Sequence, residues 1–463
     1  MTTSVLLSRI RNGERLSARE QRALILLLSW PSILAQVSVT VMQLIDAGMV
    51  GRLGTAASAS IGLVASTTWL INGLTSGAAF GFSVQCAQSI GAKNYQQASS
   101  LCRQGLAVIL LVGFLFGGIG SLLSFHIPVW LGGEPLVLQD AGAYLLIFCI
   151  GLPFSLLNSW AIQMLQAAGD TKIPGLVQVL MCILDVLFNA LFIYGLHYGV
   201  AGAALGTLAS VVCASLFLTF WVFRINPFLK LPARLHFSRT SLGRALQIGL
   251  PISIEQLITG SSYIAFTRIV SSLGTLAIAA NSFAITAESL CYMPAYGCAS
   301  AATAIIGQCT GAGRKDLCQA MAWRLARIGM GMMVLSGLLL FLFAHGLMAI
   351  LSPDLQVQDL GSLLLRMEAF AEPMYGASIV ITGILRGKGD TLWPACLNFL
   401  SIWCIRIPLA WILSRHLGLA GAWIAMNIEL NLRGLLFLGR LQHVWPIKKV
   451  RPPQNPAGSS RSS

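Results

Sequence analysis

Long apolar runs separated by short polar stretches dominate the chain from residue 22 to residue 440. A helix that crosses the hydrocarbon core of a bilayer needs about 20 mostly apolar residues. Lipid offers the backbone no hydrogen-bond partners, so each run is predicted to be a membrane-spanning α-helix. The twelve predicted spans are 22–46, 56–88, 99–125, 138–166, 173–195, 200–223, 243–269, 275–308, 320–346, 358–386, 392–414 and 418–440.

The composition supports an all-α integral membrane protein. Apolar residues make up 56% of the 463 residues and charged residues only 10%, with a mean hydropathy of +0.76. Soluble domains carry about 25% charged residues, so this chain could not cover a water-exposed surface of its size. The same composition excludes disordered, collagen-like and disulfide-scaffold proteins.

The basic residues are concentrated on one side of the predicted membrane. The net charge is +14, and 25 of the 30 Lys and Arg residues fall in the termini and the even-numbered loops. Basic residues accumulate in cytosolic loops of membrane proteins, so both termini are predicted to be cytosolic. This distribution also argues against a nucleic-acid partner.

The sequence contains an internal repeat with an offset of 220 residues. The aligned pairs include Pro31 with Pro251, Gln88 with Gln308, Gly91 with Gly311, and Gly169-Asp170-Thr171 with Gly389-Asp390-Thr391. Each copy has six spans, so both copies should share one orientation around a pseudo-twofold axis along the membrane normal. The predicted organisation is a basic cytosolic N-terminus at 1–21, a first lobe at 22–223, a cytosolic linker at 224–242, a second lobe at 243–440 and a disordered cytosolic tail at 441–463.

No motif for nucleotide hydrolysis or for enzyme catalysis is present. The nearest phosphate-loop candidate, Gly383 to Gly389, has three residues between its first two glycines instead of four. A glycine also follows Lys388, where a magnesium-binding Ser or Thr is needed. The chain is therefore not expected to be an enzyme, and uphill transport would require an ion gradient.

Four polar residues inside the first-half spans form a candidate cation site. Asp46 ends span 1, Asp185 and Asn189 share one face of span 5, and Thr207 lies in span 6. Carboxylate, amide and hydroxyl oxygens suit a proton relay or a small cation such as Na⁺. An alternative is that Asp46 lies at the membrane interface and Asp185 only bonds a neighbouring helix. The second half has no such set, since the repeat partners are Phe266, Ile405, Leu409 and Met426.

The second half carries a different group of charges within its spans. Charges at the centre of a span are costly and usually face a cavity or a partner. Two interpretations are open, a structural ion-pair network that includes Arg366 and a second coupling or substrate site. The substrate-cavity candidates are Gln36, Gln43, Asn158, Glu255, Glu288, Glu368, Glu372 and Arg406. Pro31, inside span 1, is a candidate hinge because proline removes a helical hydrogen bond.

These strings, in this order, resemble the MATE family, the multidrug and toxic-compound extrusion transporters, and most closely its bacterial DinF-like branch. The matching strings run from Gln43-Leu-Ile-Asp46 and Gln88-Ser-Ile-Gly-Ala-Lys93 through Gly199 to Thr207, and on to Gly249 to Gln256. The resemblance implies two six-helix lobes around a V-shaped cavity. It also implies a first-lobe cation site at Asp46, Asp185, Asn189 and Thr207, although the family often has Asn before Asp in span 5.

The resemblance implies a cation-coupled antiporter, driven by H⁺ or Na⁺, that exports organic cations and drug-like molecules by alternating access. It implies a multi-pass protein of the bacterial inner membrane that acts as a monomer among membrane lipids and uses no organic cofactor. Two alternatives remain, a flippase for a lipid-linked oligosaccharide and a non-transport intramembrane protein. A flippase should line its cavity with basic residues, and the sequence offers only Arg366 and Arg406 for that role.

Overall fold

The structure is a computed structural model that describes residues 2–230 and 238–446, and almost all of these residues are helical. The helices of the first half are α1 (Thr3–Arg11), α2 (Ala18–Gly51), α3 (Thr55–Gly91), α4 (Tyr95–Leu123), α5 (Ile127–Trp130), α6 (Pro135–Ala167), α7 (Lys172–Asn189) and α8 (Gly199–Phe220). Those of the second half are α9 (Arg239–Ser271), α10 (Thr275–Gly311), α11 (Lys315–Leu351), α12 (Leu355–Glu368), α13 (Glu372–Lys388), α14 (Leu392–Ser401) and α15 (Ile407–Val444). The π-helical turns Ala190–Gly195 and Trp221–Ile225 extend α7 and α8, and Ile402–Arg406 joins α14 to α15.

The helices form the predicted all-α arrangement of twelve spans in two six-helix lobes. The tenth span is divided into α12 and α13, and the last two spans meet inside α15, where Gly418 has a φ of +60°. Eight segments of the described chain are long and apolar enough on their own to cross a membrane. The last of these, Leu392–Val444, has the length of two spans. Helices α3 and α9 are not among the eight; they are rich in small and hydroxyl residues and pack against each other.

The internal repeat is visible in the backbone. Helices α3 and α10 begin and end at positions separated by the same 220 residues. The turns also correspond, because three positive-φ glycines of the first half have positive-φ glycine counterparts in the second. These pairs are Gly54 with Gly274, Gly169 with Gly389 and Gly199 with Gly418. The left-handed region favours glycine, so the repeated glycines fix the repeated helix ends.

Small residues allow helix backbones of the two halves to come into direct contact. A Cβ on Gly77 of α3 would lie 2.2 Å from the carbonyl oxygen of Gly249 in α9. The equivalent crossing of α2 and α10 brings Gly297 against Ile33, with a Cβ distance of 2.6 Å to its backbone. Close helix approach through small residues is typical of membrane bundles, where van der Waals contact drives association.

Helices at both ends of the chain extend beyond the bounds that the sequence predicted for the two lobes. The basic N-terminal region contains helix α1, and α2 starts at Ala18 with a capping box between Ser17 and Glu20. At the other end α15 continues to Val444, beyond the predicted end of the second lobe at 440. Residues 231–237 of the linker and 447–463 of the predicted disordered tail lie outside the described residues.

Candidate functional site

Asp46, Asp185 and Asn189 meet in one hydrogen-bonded cluster in the first half. The Asn189 side-chain amide donates to Asp46 Oδ1 at 2.8 Å and to Asp185 Oδ2 at 3.0 Å. Asp185 and Asn189 are buried, and Asp46 is half-buried. One amide group therefore bridges two carboxylates from α2 and α7. We call these three side chains the carboxylate cluster.

Helix α8 forms the back of the carboxylate cluster through a glycine. A Cβ on Gly206 would lie 2.0 Å from Asn189 Oδ1, so only a glycine leaves room for this amide. Thr207 follows in the chain, but its side chain makes no hydrogen bond to the cluster within the described residues. Ser210, one turn further on, places its hydroxyl 3.3 Å from Asp185 Oδ1 and 2.8 Å from the Thr207 carbonyl oxygen. Sequence reasoning missed Ser210; its position three residues after Thr207 was the available signal.

Pro31 lies where the two carboxylate-bearing helices cross. A Cβ on Gly175 of α7 would be 2.7 Å from the Pro31 carbonyl oxygen, so the backbones are in contact there. Helix α2 remains continuous from Ala18 to Gly51 through the proline. A bend at this point would change the position of Asp46 relative to Asp185. The hinge role of Pro31 stays a prediction.

The carboxylate cluster can hold a proton or a small monovalent cation. Two carboxylates on one amide repel each other, and a bound proton or cation removes that repulsion. Asn189 Oδ1 is buried and has no hydrogen-bond partner among the described residues, which leaves a third oxygen available to a ligand. No group of three or more His, Cys, Asp or Glu side chains converges anywhere in 2–230 and 238–446. Two carboxylates and an amide oxygen fit H⁺ or Na⁺ better than a highly charged metal.

A cavity of about 440 Å³ opens between the halves and is lined mostly by the second one. Four of the predicted cavity residues line it: Gln36, Glu255, Glu288 and Arg406. Gln43, Asn158, Glu368 and Glu372 do not, which corrects the prediction for these four. Gln43 is exposed, and the Asn158 amide lies 3.4 Å from Gln178 inside the first half. Helix periodicity gives the direction of a side chain but not the position of the cavity.

Most charges of the cavity wall are neutralised in ion pairs. Arg386 Nη2 lies 2.9 Å from Glu255 Oε2, and Asn398 donates to the other oxygen of Glu255 at 2.7 Å. Glu429, which is fully buried, holds Arg406 at 2.7 Å and Arg433 at 3.1 Å.

The arginines of the cavity differ from those that the sequence suggested. Arg386 and Arg433, assigned to cytosolic loops by the count of basic residues, line the cavity together with Arg406. Arg366 is exposed and lies 6.0 Å from the Phe341 ring, so it makes no ion pair with Glu368 or Glu372. The second half does contain ion pairs, but Arg366 is not part of them. Arg366 points away because it occupies the outer face of α12, opposite Glu368.

Glu288 is the exception among the cavity charges. It lines the cavity, yet it has no hydrogen-bond or ion-pair partner in the described part of the chain. Aromatic side chains share its wall, and they include Tyr263, Tyr292, Tyr296 and Tyr375. The Tyr292 ring stacks edge-on against Tyr296 at 6.0 Å and Tyr375 at 5.4 Å. An unpaired carboxylate among aromatic rings attracts a desolvated organic cation by charge and by cation–π contact.

Glu368 and Glu372 lie behind this wall and are fully buried. Asn427 donates to Glu368 at 2.7 Å, whereas neither oxygen of Glu372 has a hydrogen-bond partner among the described residues. These two carboxyls belong to the second half and are separate from the carboxylate cluster.

A family model described as MatE matches the chain twice, over residues 31–191 and 251–412. Each match lies in one half, with nearly the offset of the internal repeat. Among related proteins, the probable multidrug resistance protein NorM of Thermotoga maritima is 27% identical over 426 residues, which cover 90% of this chain and 92% of that protein. The probable multidrug resistance protein YoeA of Bacillus subtilis is 26% identical over 435 residues, which cover 91% and 93%.

Solved structures have the same fold. One, described as the outward-facing conformation of a multidrug resistance MATE family transporter of the MOP superfamily, gives a TM-score of 0.88 at 22% identity and covers 96% of this chain and 99% of its own. Another, of MATE in complex with MaL6, gives a TM-score of 0.87 at 23% identity, with 94% and 98% covered. With one family match in each six-helix half, and the two together covering most of its length, this multi-pass membrane protein belongs to the MatE family.

Proposed function

We propose that the chain is a cation-coupled antiporter that exports organic cations and drug-like molecules by alternating access, rather than an enzyme. The carboxylate cluster carries this proposal, because it brings two carboxylates and an amide together in only one half of a symmetric molecule, as a site for one H⁺ or Na⁺ requires. The names of the relatives NorM and YoeA support multidrug efflux. We place the protein in the bacterial inner membrane as a monomer, with both termini cytosolic.

The carboxylate cluster couples the ion to a helix movement. Asp46 belongs to α2 and Asp185 to α7, so the charge between them changes the preferred separation of these helices. With the cation bound, the two helices approach; without it, they separate. A ligand shifts such an equilibrium only through its different affinity for the two states. Each charge that enters the cell adds ~2.3 kcal/mol per 100 mV of membrane potential.

The cavity supplies the site for the organic substrate. Glu288 offers a negative charge that no arginine neutralises directly, and the tyrosines offer flat apolar faces. Gln36 of α2 lines the same cavity and lies on the helix that carries Asp46. Movement of α2 therefore changes the cavity as well as the carboxylate cluster, which gives a physical route from ion to substrate.

Transport in proteoliposomes tests the proposed function. Purified protein is reconstituted, and H⁺ and Na⁺ gradients are imposed separately while the movement of ethidium is recorded. We expect one gradient to drive accumulation of ethidium and its collapse to stop it. Equal ethidium movement with and without any gradient would contradict antiport and indicate a passive channel.

Glu288→Gln should weaken the binding of organic cations. Opposite unit charges about 6 Å apart near a protein surface attract each other by about 3 kcal/mol, so losing the carboxylate charge should lower the affinity for tetraphenylphosphonium about tenfold or more. The variant keeps the shape of the side chain, and binding is measured by isothermal titration calorimetry. Asp140→Asn, an exposed position of the first half, is the matched control and should bind as the parent does. Unchanged affinity in Glu288→Gln would remove this residue from the substrate site.

A flippase would need unpaired basic residues in the cavity wall. The structure places more arginines there than the sequence suggested, but all of them are in ion pairs. Arg386, Arg406 and Arg433 line the cavity, and each one already faces a carboxylate. A pyrophosphate would have to displace Glu255 or Glu429 to reach them. The unpaired charge of the wall is negative, which favours a cation.

A further inference from the structure

The two halves are fastened to each other at one end of the molecule by a symmetric pair of glutamines. Gln88, near the end of α3, donates to the carbonyl oxygens of Gly387 and Lys388 at 3.2 Å each. Gln308, its repeat partner in α10, donates to the carbonyl oxygen of Ala167 at 2.8 Å. The acceptors Gly387 and Ala167 are themselves repeat partners. Each glutamine thus satisfies a carbonyl that the end of a helix leaves without an intrahelical donor, and it does so in the opposite half.

The backbones of α3 and α10 are in direct contact at this point. A Cβ on Gly91 would lie 2.1 Å from the Gln308 carbonyl oxygen, and a Cβ on Gly311 would lie 1.8 Å from that of Gln88. Arg244, close to the start of α9, adds a bond of 2.6 Å to Gln88 Oε1. The residue that corresponds to Arg244 in the first half is Leu24, which cannot donate a hydrogen bond. Only Gln88, and not Gln308, therefore has an arginine as an additional donor. Gln308 Oε1 is buried and has no partner among the described residues.

Helix α1 covers the same junction. Leu6, Leu7 and Ile10 are buried in a core cluster that includes Ile305 and Cys309 of α10. Leu7 also reaches the first half, because a Cβ on Gly169 would lie 2.1 Å from its methyl group. A short amphipathic helix thus places its apolar face across both halves, where the glutamines join them.

Polar contacts hold α1 and the following turn in place. Arg9 forms ion pairs with Glu14 and Glu20, and Arg314 of the second half donates to the Glu14 carbonyl oxygen at 3.0 Å. The Arg11 guanidinium lies 4.5 Å from the ring of Phe228, in the described part of the linker. The helix is therefore tied to the first half, the second half and the linker.

We propose that α1, Gln88 and Gln308 form a latch that keeps the cytosolic ends of the two halves closed in this conformation. The cavity opens to the cytosol only when both glutamines leave their carbonyl partners and α1 leaves the junction. The latch rests on the cytosolic orientation given under the proposed function. In alternating access, its strength sets the fraction of molecules that are open to the cytosol.

Chemical labelling of a cavity residue from the cytosolic side tests the latch. Ser300 lines the cavity and is replaced by Cys in the full chain. Inside-out vesicles are treated with a membrane-impermeant maleimide, and peptide mass spectrometry follows modification at position 300 apart from the native cysteines. We expect Gln308→Ala, which deletes one neutral hydrogen bond, to accelerate labelling about fivefold. Leu6→Asp, which introduces a charge on the buried face of α1, should accelerate it at least about tenfold.

Val5→Asp is the matched control, because Val5 is the exposed neighbour on the same helix. It should label at the parent rate. Thermal unfolding in detergent checks the fold of each variant, and Gln308→Ala decides the question if Leu6→Asp does not fold. Unchanged labelling of folded Gln308→Ala would overturn the latch. Labelling needs no transport, so faster labelling in a protein that fails the gradient assay would leave the latch standing and refute only the antiport.

Discussion

Asp46→Asn should reduce gradient-driven export to the level of protein-free liposomes. The asparagine keeps the size of the side chain but cannot release a proton or balance a bound cation. Asn189 retains Asp185 as an acceptor, so the cluster loses its charge pair without losing its packing. Coupling requires an ion that binds one conformation better than the other, and this difference disappears with the carboxylate. The effect is measured as gradient-driven movement of ethidium in the proteoliposome assay described above.

Asp185→Asn should give the same loss, since either carboxylate alone leaves the pair incomplete. Asp140→Asn removes an exposed carboxylate from the same half and should transport as the parent does. Each Asp→Asn change preserves the size of the side chain, so we expect the thermal unfolding curves of all three variants to differ by only a few degrees. Parent-like export by folded Asp46→Asn would refute the assignment of the cation site to the carboxylate cluster.

Glu429→Gln should cause the largest loss of stability of any single charge removal among the ion pairs around the cavity. Glu429 is fully buried between Arg406 and Arg433, at 2.7 Å and 3.1 Å. Neutralising it leaves two neighbouring arginines that repel each other without the carboxylate between them. Breaking a buried ion pair by removing one partner costs about 3–5 kcal/mol. We expect the thermal unfolding midpoint in detergent to fall by about 5–10 °C.

Arg433→Gln separates this effect from a general loss of packing. It removes one of the two cations and leaves Arg406 and Glu429 as a balanced pair, so its cost should be clearly smaller. Glu134→Gln, at an exposed position in the first half, should unfold at the parent temperature. An unfolding temperature of Glu429→Gln equal to that of the parent would mean that the two arginines find other compensation.

Sequence reasoning was successful for the residues that one helix brings together. Asp185 and Asn189 are four residues apart, so helix geometry places them on one face, and the repeat shows that the second half lacks them. The meeting with Asp46 was a hypothesis from oxygen-ligand chemistry that the family resemblance supported, because no sequence spacing relates α2 to α7. The same limitation explains the misplaced residues. Arg433 follows an apolar run and was counted with the cytosolic tail, although α15 continues and turns it into the cavity.

The sequence by itself determined the helices, their duplication and the sidedness of the basic residues. These properties depend on local hydrophobicity and on a constant offset between the two copies, and both are visible in the linear sequence. Only the tertiary structure decided which polar groups meet. The Asn189 amide joins Asp46 to Asp185, and one carboxylate, that of Glu429, is shared by Arg406 and Arg433. Glu288 faces the cavity without a hydrogen-bond or ion-pair partner among the described residues. Partner choice depends on how the helices cross, and those crossings follow from close contact at small residues spread across the whole chain.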